Sequence, residues 1–186
     1  MRKPNKHGGG SNTNLNGLKF EGRTDFITSI INNKNFYVKH VKNFKKTYKI
    51  FLKEKLYGYY TEKNEFYKFF LKKEKIIWEK IISKKYLPDA VFINDIIKTV
   101  FVIEKKFQSR SGSVDEKLQT CDFKKKIYTK IIKKSLKNYS VEYFFILNSW
   151  FKRSEYNDVK KYIKSVNCNY FIEEVTFKYL GLENFW

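Results

Sequence analysis

Three charged residues on two neighbouring apolar segments have the chemistry of a metal-assisted hydrolytic site. The stretch YLPDAVFINDIIKTVFVIEKKFQ, residues 86–108, carries Asp89 on one segment and Glu104 and Lys106 near the end of the next. Carboxylate oxygens are preferred ligands of Mg²⁺, which keeps several waters and completes its shell with substrate phosphate. An ammonium group beside the metal can hold the attacking water and stabilise charge on a phosphate. These residue types together suit phosphodiester cleavage.

Strand periodicity predicts which of these side chains share a face. A turn centred on residues 96–97 places Asp89 opposite Glu104. Because side chains alternate along a strand, Lys106 points to the same side as the two acids and Lys105 points away. Both strands are apolar on their other face as well, which predicts central strands of a sheet. The residues of that other face are Ala90, Phe92, Phe101 and Ile103.

The triplet acid-x-Lys carries little weight by itself in so lysine-rich a chain. Asp115, Asp122 and Asp158 also begin one, but only Glu104 lies on an apolar alternating strand. The Pro-Asp pair occurs once, at residues 88–89, where the partner strand should begin. A salt bridge of Lys106 at a strand end remains the structural alternative, since unpaired buried charges are costly.

The composition indicates one domain with a polyanionic partner. The chain has 186 residues, of which 42% are hydrophobic, enough for a substantial core. Its 39 basic and 19 acidic residues give a formal charge of +20, which favours binding to nucleic acid through phosphate neutralisation. Nearly all the basic residues are lysines, so part of this excess can instead reflect an A+T-rich coding sequence. Residues 1–13 predict a flexible basic Gly-rich arm, and residues 14–186 a single domain.

Cysteine usage and hydropathy predict a cytoplasmic protein without a membrane partner. Cys121 and Cys168 lack the spacing of a metal site, which fits a reducing compartment. No apolar run approaches the roughly 18 residues of a membrane span. The N-terminal residues lack the apolar stretch of a signal peptide.

The order of predicted elements indicates an α/β protein with helices on both faces of a mixed central sheet. The first helix should begin at Asn14 and turn Leu18, Ile27, Ile30 and Ile31 inward. Ser113 and Glu116 form an S-x-x-E capping box for a later helix. The remaining predicted elements are two or three strands within 36–62, a helix over 63–85, strands at 89–94 and 99–107, a helix to about 136, a strand at 141–148, a helix at 155–166 and a strand at 168–177.

Pro88-Asp89 followed by Glu104-Lys105-Lys106 reproduces the signature of the PD-(D/E)xK nuclease superfamily, and the resemblance covers nearly the whole chain. Residues 103–128, IEKKFQSRSGSVDEKLQTCDFKKKIY, resemble the catalytic strand and following helix of small type II restriction endonucleases. The segment YFIEEVTFKYLGL, residues 170–182, resembles their closing strand. The resemblance implies the restriction-endonuclease-like αβββαβ core.

The same resemblance implies roles for individual residues. Asp89 and Glu104 would be ligands of Mg²⁺, for which Mn²⁺ can substitute, and Lys106 would be the catalytic lysine. Glu21 on the first helix would be a further catalytic acid, although a Glu at this place also suits a helix dipole. The reaction would be Mg²⁺-dependent endonucleolytic hydrolysis of double-stranded DNA, leaving a 5′-phosphate and a 3′-hydroxyl.

Six further residues are candidates for contacts to nucleic acid. The loop after the catalytic strand offers Ser109, Arg110 and Ser111, and the next helix offers Lys117, Gln119 and Lys124. A solvated helix face explains the second group equally well. Gln119 also resembles an assisting glutamine of the superfamily.

The substrate class stays open at this point because one fold supports several nuclease functions. Sequence-specific restriction is the favoured interpretation, with a homodimer if the target is palindromic. A nuclease that recognises branched or damaged DNA has the same signature. A non-catalytic basic protein that binds nucleic acid, with the three charges as an ion cluster, is the third interpretation.

Overall fold

A seven-stranded mixed sheet, with strands in sequential order, forms the centre of the protein. The computed structural model describes residues 17, 19, 20, 22, 24, 26–110, 112 and 114–182. Neighbouring strands from β1 to β5 are antiparallel, whereas β6 runs parallel to β5 and β7 parallel to β6. The strands are β1 (Phe36–His40), β2 (Thr47–Leu52), β3 (Lys55–Thr61), β4 (Ala90–Asn94), β5 (Thr99–Lys106), β6 (Ser140–Leu147) and β7 (Asn169–Ile172).

Helices cover both faces of this sheet. On one face, α1 (Phe26–Ile31) packs with residues Leu180 and Leu182 against the Phe92 and Phe101 side of β4 and β5. Helical elements also cover the opposite face. They are the π-helix Phe66–Leu71, α2 (Val114–Leu118), α3 (Cys121–Lys133) and α4 (Asn157–Ser165). The predicted mixed α/β fold is confirmed, and α1, β3 to β5, α3 and β6 form its αβββαβ order.

The two central strands pair in the predicted register. Val91 lies opposite Val102, and every residue of β4 is buried. The side chain of Asn94 closes the turn, since its Oδ1 accepts the N–H groups of Ile96 and Ile97 at 3.0 and 3.2 Å. Its amide also donates to the carbonyl of Leu180 at 3.0 Å. Asn94 thus fixes the register that determines which residues meet at the other end of the hairpin.

The helix predicted over residues 63–85 is wrong in its second half. Lys75 adopts a left-handed conformation with φ of 55°, and the N–H of Ile76 donates to the carbonyl of Leu71 at 2.8 Å. This closure terminates the helix. The chain continues as an irregular segment with a 3₁₀ turn at Trp78–Lys80, held to the core by buried Ile76 and Ile82.

Other predicted details are corrected as well. Ile31 was expected to point inward but is 54% exposed, because α1 turns Phe26, Ile27 and Ile30 toward the sheet and ends there. The long helix after residue 113 is interrupted at Thr120, whose hydroxyl donates to the carbonyl of Lys117. The last strand is only Asn169–Ile172. Ser113, Leu18, the helix start at Asn14 and the arm at 1–13 lie outside the described residues.

Within the described part of the chain, no helix has the length and apolar character needed to cross a membrane.

Gly58 provides a test of the packing between β3 and β4. A Cβ atom at this position would lie 1.8 Å from the carbonyl oxygen of Ile93, and backbone cannot move aside without breaking the sheet. We expect Gly58→Ala to cost about 3 kcal/mol or more and to lower the melting temperature by roughly 6–12 °C. Thermal unfolding followed by circular dichroism measures this shift.

Gly112→Ala is the matched control, because the nearest atom to a Cβ there is the side-chain nitrogen of Gln108 at 3.9 Å. Equal melting temperatures for the two variants would contradict the tight contact between β3 and β4.

Candidate active site

The structure brings Asp89, Glu104 and Lys106 together at one end of the central hairpin. Asp89 immediately precedes β4, while Glu104 and Lys106 lie near the end of β5. Lys106 Nζ donates to Glu104 Oε2 at 2.9 Å and lies 3.5 Å from Asp89 Oδ2. Asp89 Oδ2 also accepts the backbone N–H of Lys105 at 2.8 Å. Lys105 therefore contacts Asp89 through its backbone N–H, which fits the prediction that its side chain points to the other face of the strand.

Glu104 is a buried carboxylate held between two ammonium groups. Only 2% of the residue is exposed. Lys106 contacts one of its oxygens, and Lys124 Nζ from α3 contacts the other, Oε1, at 3.0 Å. Two cations at hydrogen-bonding distance compensate a charge that would be costly to bury alone. Lys124, predicted from the sequence as a contact to nucleic acid, thus belongs to the acid cluster.

The charge state of Lys106 follows from its surroundings. Burial would lower the pKa of this lysine, but the charges of Glu104 and Asp89 and its hydrogen bonds to them outweigh burial, and the pKa is raised. A third acceptor is the carbonyl of Lys105, 3.1 Å from Nζ. Lys106 is therefore an ammonium ion at neutral pH and acts as a donor and a positive charge.

Two buried tyrosines fix the segment that leads into Asp89. The hydroxyls of Tyr67 and Tyr128 donate to the carbonyl of Tyr86 at 2.8 and 2.6 Å, and the N–H of Tyr86 donates back to the Tyr67 oxygen at 3.1 Å. Burial raises the pKa of both phenols, that of Tyr67 to about 12, so both remain donors. Sequence reasoning missed these residues. The sequence does contain one signal for Tyr128: it follows Lys124 by four residues, which places both side chains on the same face of the helix.

A second network orders the loop that follows β5. The N–H of Gln108 donates to Asn148 Oδ1 at 3.1 Å, and the Asn148 amide donates to the carbonyl of Gln108 at 2.9 Å. The Gln108 amide in turn donates to the carbonyls of Arg110 and Gly112 at 2.8 and 3.2 Å. Ser109 is half-buried and Arg110 is exposed. The network sets the path of the loop that carries these two candidates, and no periodic pattern in the sequence predicts it.

Of the remaining predicted site residues that the structure describes, Lys117 and Gln119 are not brought to the carboxylates. Lys117 and Gln119 are exposed near the break between α2 and α3. Among the contacts described for the chain, none joins either residue to Asp89 or Glu104. Glu21 and Ser111 lie outside the described residues.

The donor set fits a hard divalent cation that takes part of its shell from water and substrate. In the described part of the chain, no group of three or more His, Cys, Asp or Glu side chains forms a metal cage. Asp89 and Glu104 supply two carboxylates, both in contact with the ammonium group of Lys106. No described residue donates a hydrogen bond to Asp89 Oδ1, so this oxygen could bind a cation. One or two carboxylates completed by waters and phosphate oxygens is the usual arrangement for Mg²⁺.

Comparison with known families agrees with this geometry. The family model described as "PD-(D/E)XK nuclease superfamily domain" matches residues 25–140, more than half of the chain. The protein belongs to the PD-(D/E)XK nuclease superfamily, whose members are nucleases that act on nucleic acid and generally use divalent metals. Neither the curated proteins nor the solved structures contain a match to this chain.

The contact between Lys124 and Glu104 predicts a stability effect. Lys124→Met keeps most of the apolar stem but leaves Glu104 Oε1 without its donor. We expect the free energy of unfolding to fall by about 1–3 kcal/mol, the cost of a buried charged acceptor that loses its partner. Chemical denaturation measures this change.

Lys126→Met, two residues further along the same helix, is the control. Its side chain is 74% exposed and pairs with Asp122 at 2.7 Å at the surface, so we expect the free energy of unfolding to stay essentially unchanged. A Lys124 variant as stable as the Lys126 variant would argue against the buried ion pair.

Proposed function

We propose that the protein is a Mg²⁺-dependent endonuclease that hydrolyses phosphodiester bonds in double-stranded DNA, with Mn²⁺ as a substitute metal. The observation that carries the proposal is the ammonium of Lys106, 2.9 Å from Glu104 and 3.5 Å from Asp89 at the end of a buried hairpin. Asp89 and Glu104 are the proposed metal ligands and Lys106 the catalytic lysine. Glu21 is proposed as a further acid of the site on the resemblance alone.

Each residue has a distinct role in this proposal. Asp89 and Glu104 would hold the divalent cation, which when bound supplies an activated water and neutralises charge on the phosphate. The raised pKa of Lys106 keeps it positively charged, so it can donate a hydrogen bond to the attacking water or to a phosphate oxygen. Lys124 keeps Glu104 oriented through Oε1. The tyrosine contacts to Tyr86 limit movement of Asp89 relative to Glu104.

The proposed substrate and assembly follow from charge and resemblance. A formal charge of +20 favours a polyanion. Cleavage at a specific sequence, as in type II restriction endonucleases, is the proposed mode, with a homodimer for a palindromic target. Residues 14–186 are proposed as one nuclease domain, preceded by a basic arm at 1–13 that can contact DNA, and the cytoplasm as its compartment. Ser109, Arg110 and Ser111 are proposed phosphate contacts, as are Lys117 on α2 and Gln119 in the turn between α2 and α3.

A structure-specific nuclease is the second candidate. Aromatic and aliphatic side chains are exposed close to Asp89, with Leu87 and Phe123 each 50% exposed. In a duplex the base faces are stacked on each other and offer such side chains little to contact. An unpaired strand exposes its base faces, which can stack on these side chains.

Cleavage assays on plasmid and phage DNA with Mg²⁺ test the proposal. We expect Asp89→Ala and Lys106→Met each to reduce the cleavage rate by at least about 100-fold, since each removes a group that acts on the transition state. Asp158→Ala is the control, because Asp158 also begins an acid-x-Lys triplet but its side chain is 99% exposed. This variant should cleave DNA like the parent. Equal cutting by the Asp89 and Asp158 variants would refute the assignment.

Metal binding gives a test that is independent of cleavage. Calorimetry with Mn²⁺ should show one saturable binding event in the parent that Glu104→Gln abolishes and Asp158→Ala retains. Circular dichroism must first show that the Glu104 variant is folded. A folded parent that binds nucleic acid but no divalent cation would favour the non-catalytic interpretation.

A further inference from the structure

A partly exposed aromatic strip begins beside the candidate active site, and its Trp78 and Tyr86 are half-buried against the core. We define it by three aromatic residues and one aliphatic residue: Trp78, Tyr86, Leu87 and Phe123. Leu87 and Phe123 are each 50% exposed, and Ile77 next to Trp78 is 54% exposed. Exposed apolar side chains that cluster, with charged residues between them, mark a binding surface more often than isolated ones do.

Two rings of the strip contact each other, and lysines lie over two of its three rings. Tyr86 and Phe123 meet edge to face with centroids 5.4 Å apart. Lys84 Nζ lies 5.3 Å from the Tyr86 ring, and Lys85 Nζ lies 5.0 Å from the Trp78 ring. This interleaving places a cation beside the Tyr86 ring and another beside the Trp78 ring, which suits a ligand that carries both flat rings and negative charge.

The strip is rigidly placed with respect to the candidate catalytic residues. Tyr86 is three residues before Asp89, and its backbone is fixed by the hydroxyls of Tyr67 and Tyr128. Phe123 immediately precedes Lys124, whose ammonium lies 3.0 Å from Glu104. A nucleic acid strand whose phosphate reached the carboxylates would therefore bring its neighbouring bases over Tyr86 and Phe123.

The far end of the strip opens into a cavity of about 360 Å³. Ile77 and Trp78 give it an apolar wall, and Lys72 and Lys75 lie on its rim with Glu79. Its volume lies within the range of small-ligand sites. The surrounding sequence, KKEKIIWEKIISKK at residues 72–85, contains six lysines and two glutamates, which complements a phosphate backbone.

We infer that the aromatic strip binds an unpaired strand of nucleic acid next to the scissile bond. The inference rests on the proposed nuclease chemistry and favours the second candidate, a structure-specific nuclease, whose substrate would be DNA that has a single-stranded segment, such as a tail, flap or gap, beside the cut. In intact duplex the base faces are stacked on each other, so exposed rings and an apolar cavity have no matching surface there. An unpaired strand offers base faces to the rings and phosphates to Lys84 and Lys85.

Binding in the absence of metal tests the inference without depending on cleavage. The probes are a fluorescein-labelled 12-nucleotide oligo-dT and a blunt duplex, titrated with the full chain in EDTA and followed by anisotropy. We expect Trp78→Ala and Phe123→Ala each to weaken oligo-dT binding by roughly five- to 150-fold, the range for loss of one stacked base. Binding to the blunt duplex should change less than twofold.

Matched variants separate stacking from a general loss of structure. Tyr37→Ala removes an aromatic side chain that is 64% exposed on β1, outside the strip, and should bind oligo-dT like the parent. Phe123→Tyr and Trp78→Phe keep a ring and should retain most of the affinity. Lys84→Gln with Lys85→Gln should weaken binding and reduce its salt dependence.

The inference is overturned if the strip variants bind oligo-dT with parental affinity, or if Tyr37→Ala loses as much as they do. Equal loss on the blunt duplex would overturn it too. So would an effect of the strip variants on self-association alone, measured by sedimentation, because the strip would then be a protein interface. Strip-dependent oligo-dT binding by a chain that never cleaves DNA would refute the proposed function and leave the strand-binding surface standing.

Discussion

The buried carboxylate of Glu104 is the constraint on which the arrangement of the site depends. It is 2% exposed, and its two oxygens are held by Lys106 from β5 and Lys124 from α3. A carboxylate in this position needs compensating charge, since removing one of its partners is expected to cost about 1–3 kcal/mol. The ion cluster therefore attaches the helix layer to the sheet and at the same time presents two carboxylates and an ammonium at one point. The structural role of these atoms and their proposed catalytic role make the same demand on geometry, so neither role excludes the other.

The hairpin of β4 and β5 is fixed at both ends, and this explains how the cluster keeps its geometry. At the turn, Asn94 holds the N–H groups of Ile96 and Ile97. At the open end, the Asp89 carboxylate accepts the N–H of Lys105, and the preceding Tyr86 is held by two phenols. A slip by one residue would turn Glu104 to the face occupied by Phe101 and Ile103. Preorganised placement of this kind is what electrostatic catalysis requires.

What the sequence predicted well depended on local periodicity. Alternation of side chains placed Asp89, Glu104 and Lys106 on one face, and the structure has Val91 opposite Val102 in that register. The failures involve contacts distant in sequence. Nothing local in residues 76–85 shows that a helix closes at Lys75, because the segment is held by packing of Ile76 and Ile82. The partners of Tyr86 lie 19 and 42 residues away, beyond any local pattern. The pairing of Lys124 with Glu104 likewise required the packing of α3 on the sheet.

Net charge alone does not distinguish the substrates that this chain could bind. Lys106 and Lys124 are committed to buried carboxylates, with side chains 21% and 24% exposed, so part of the charge is not available to a ligand. The lysines that remain at the surface attract any polyanion, paired or unpaired, and their attraction is screened by salt. Discrimination between paired and unpaired strands would therefore depend on groups that respond to base stacking. The exposed rings of the aromatic strip are such groups, and their position beside Asp89 connects the form of the nucleic acid to the place where it would be cut.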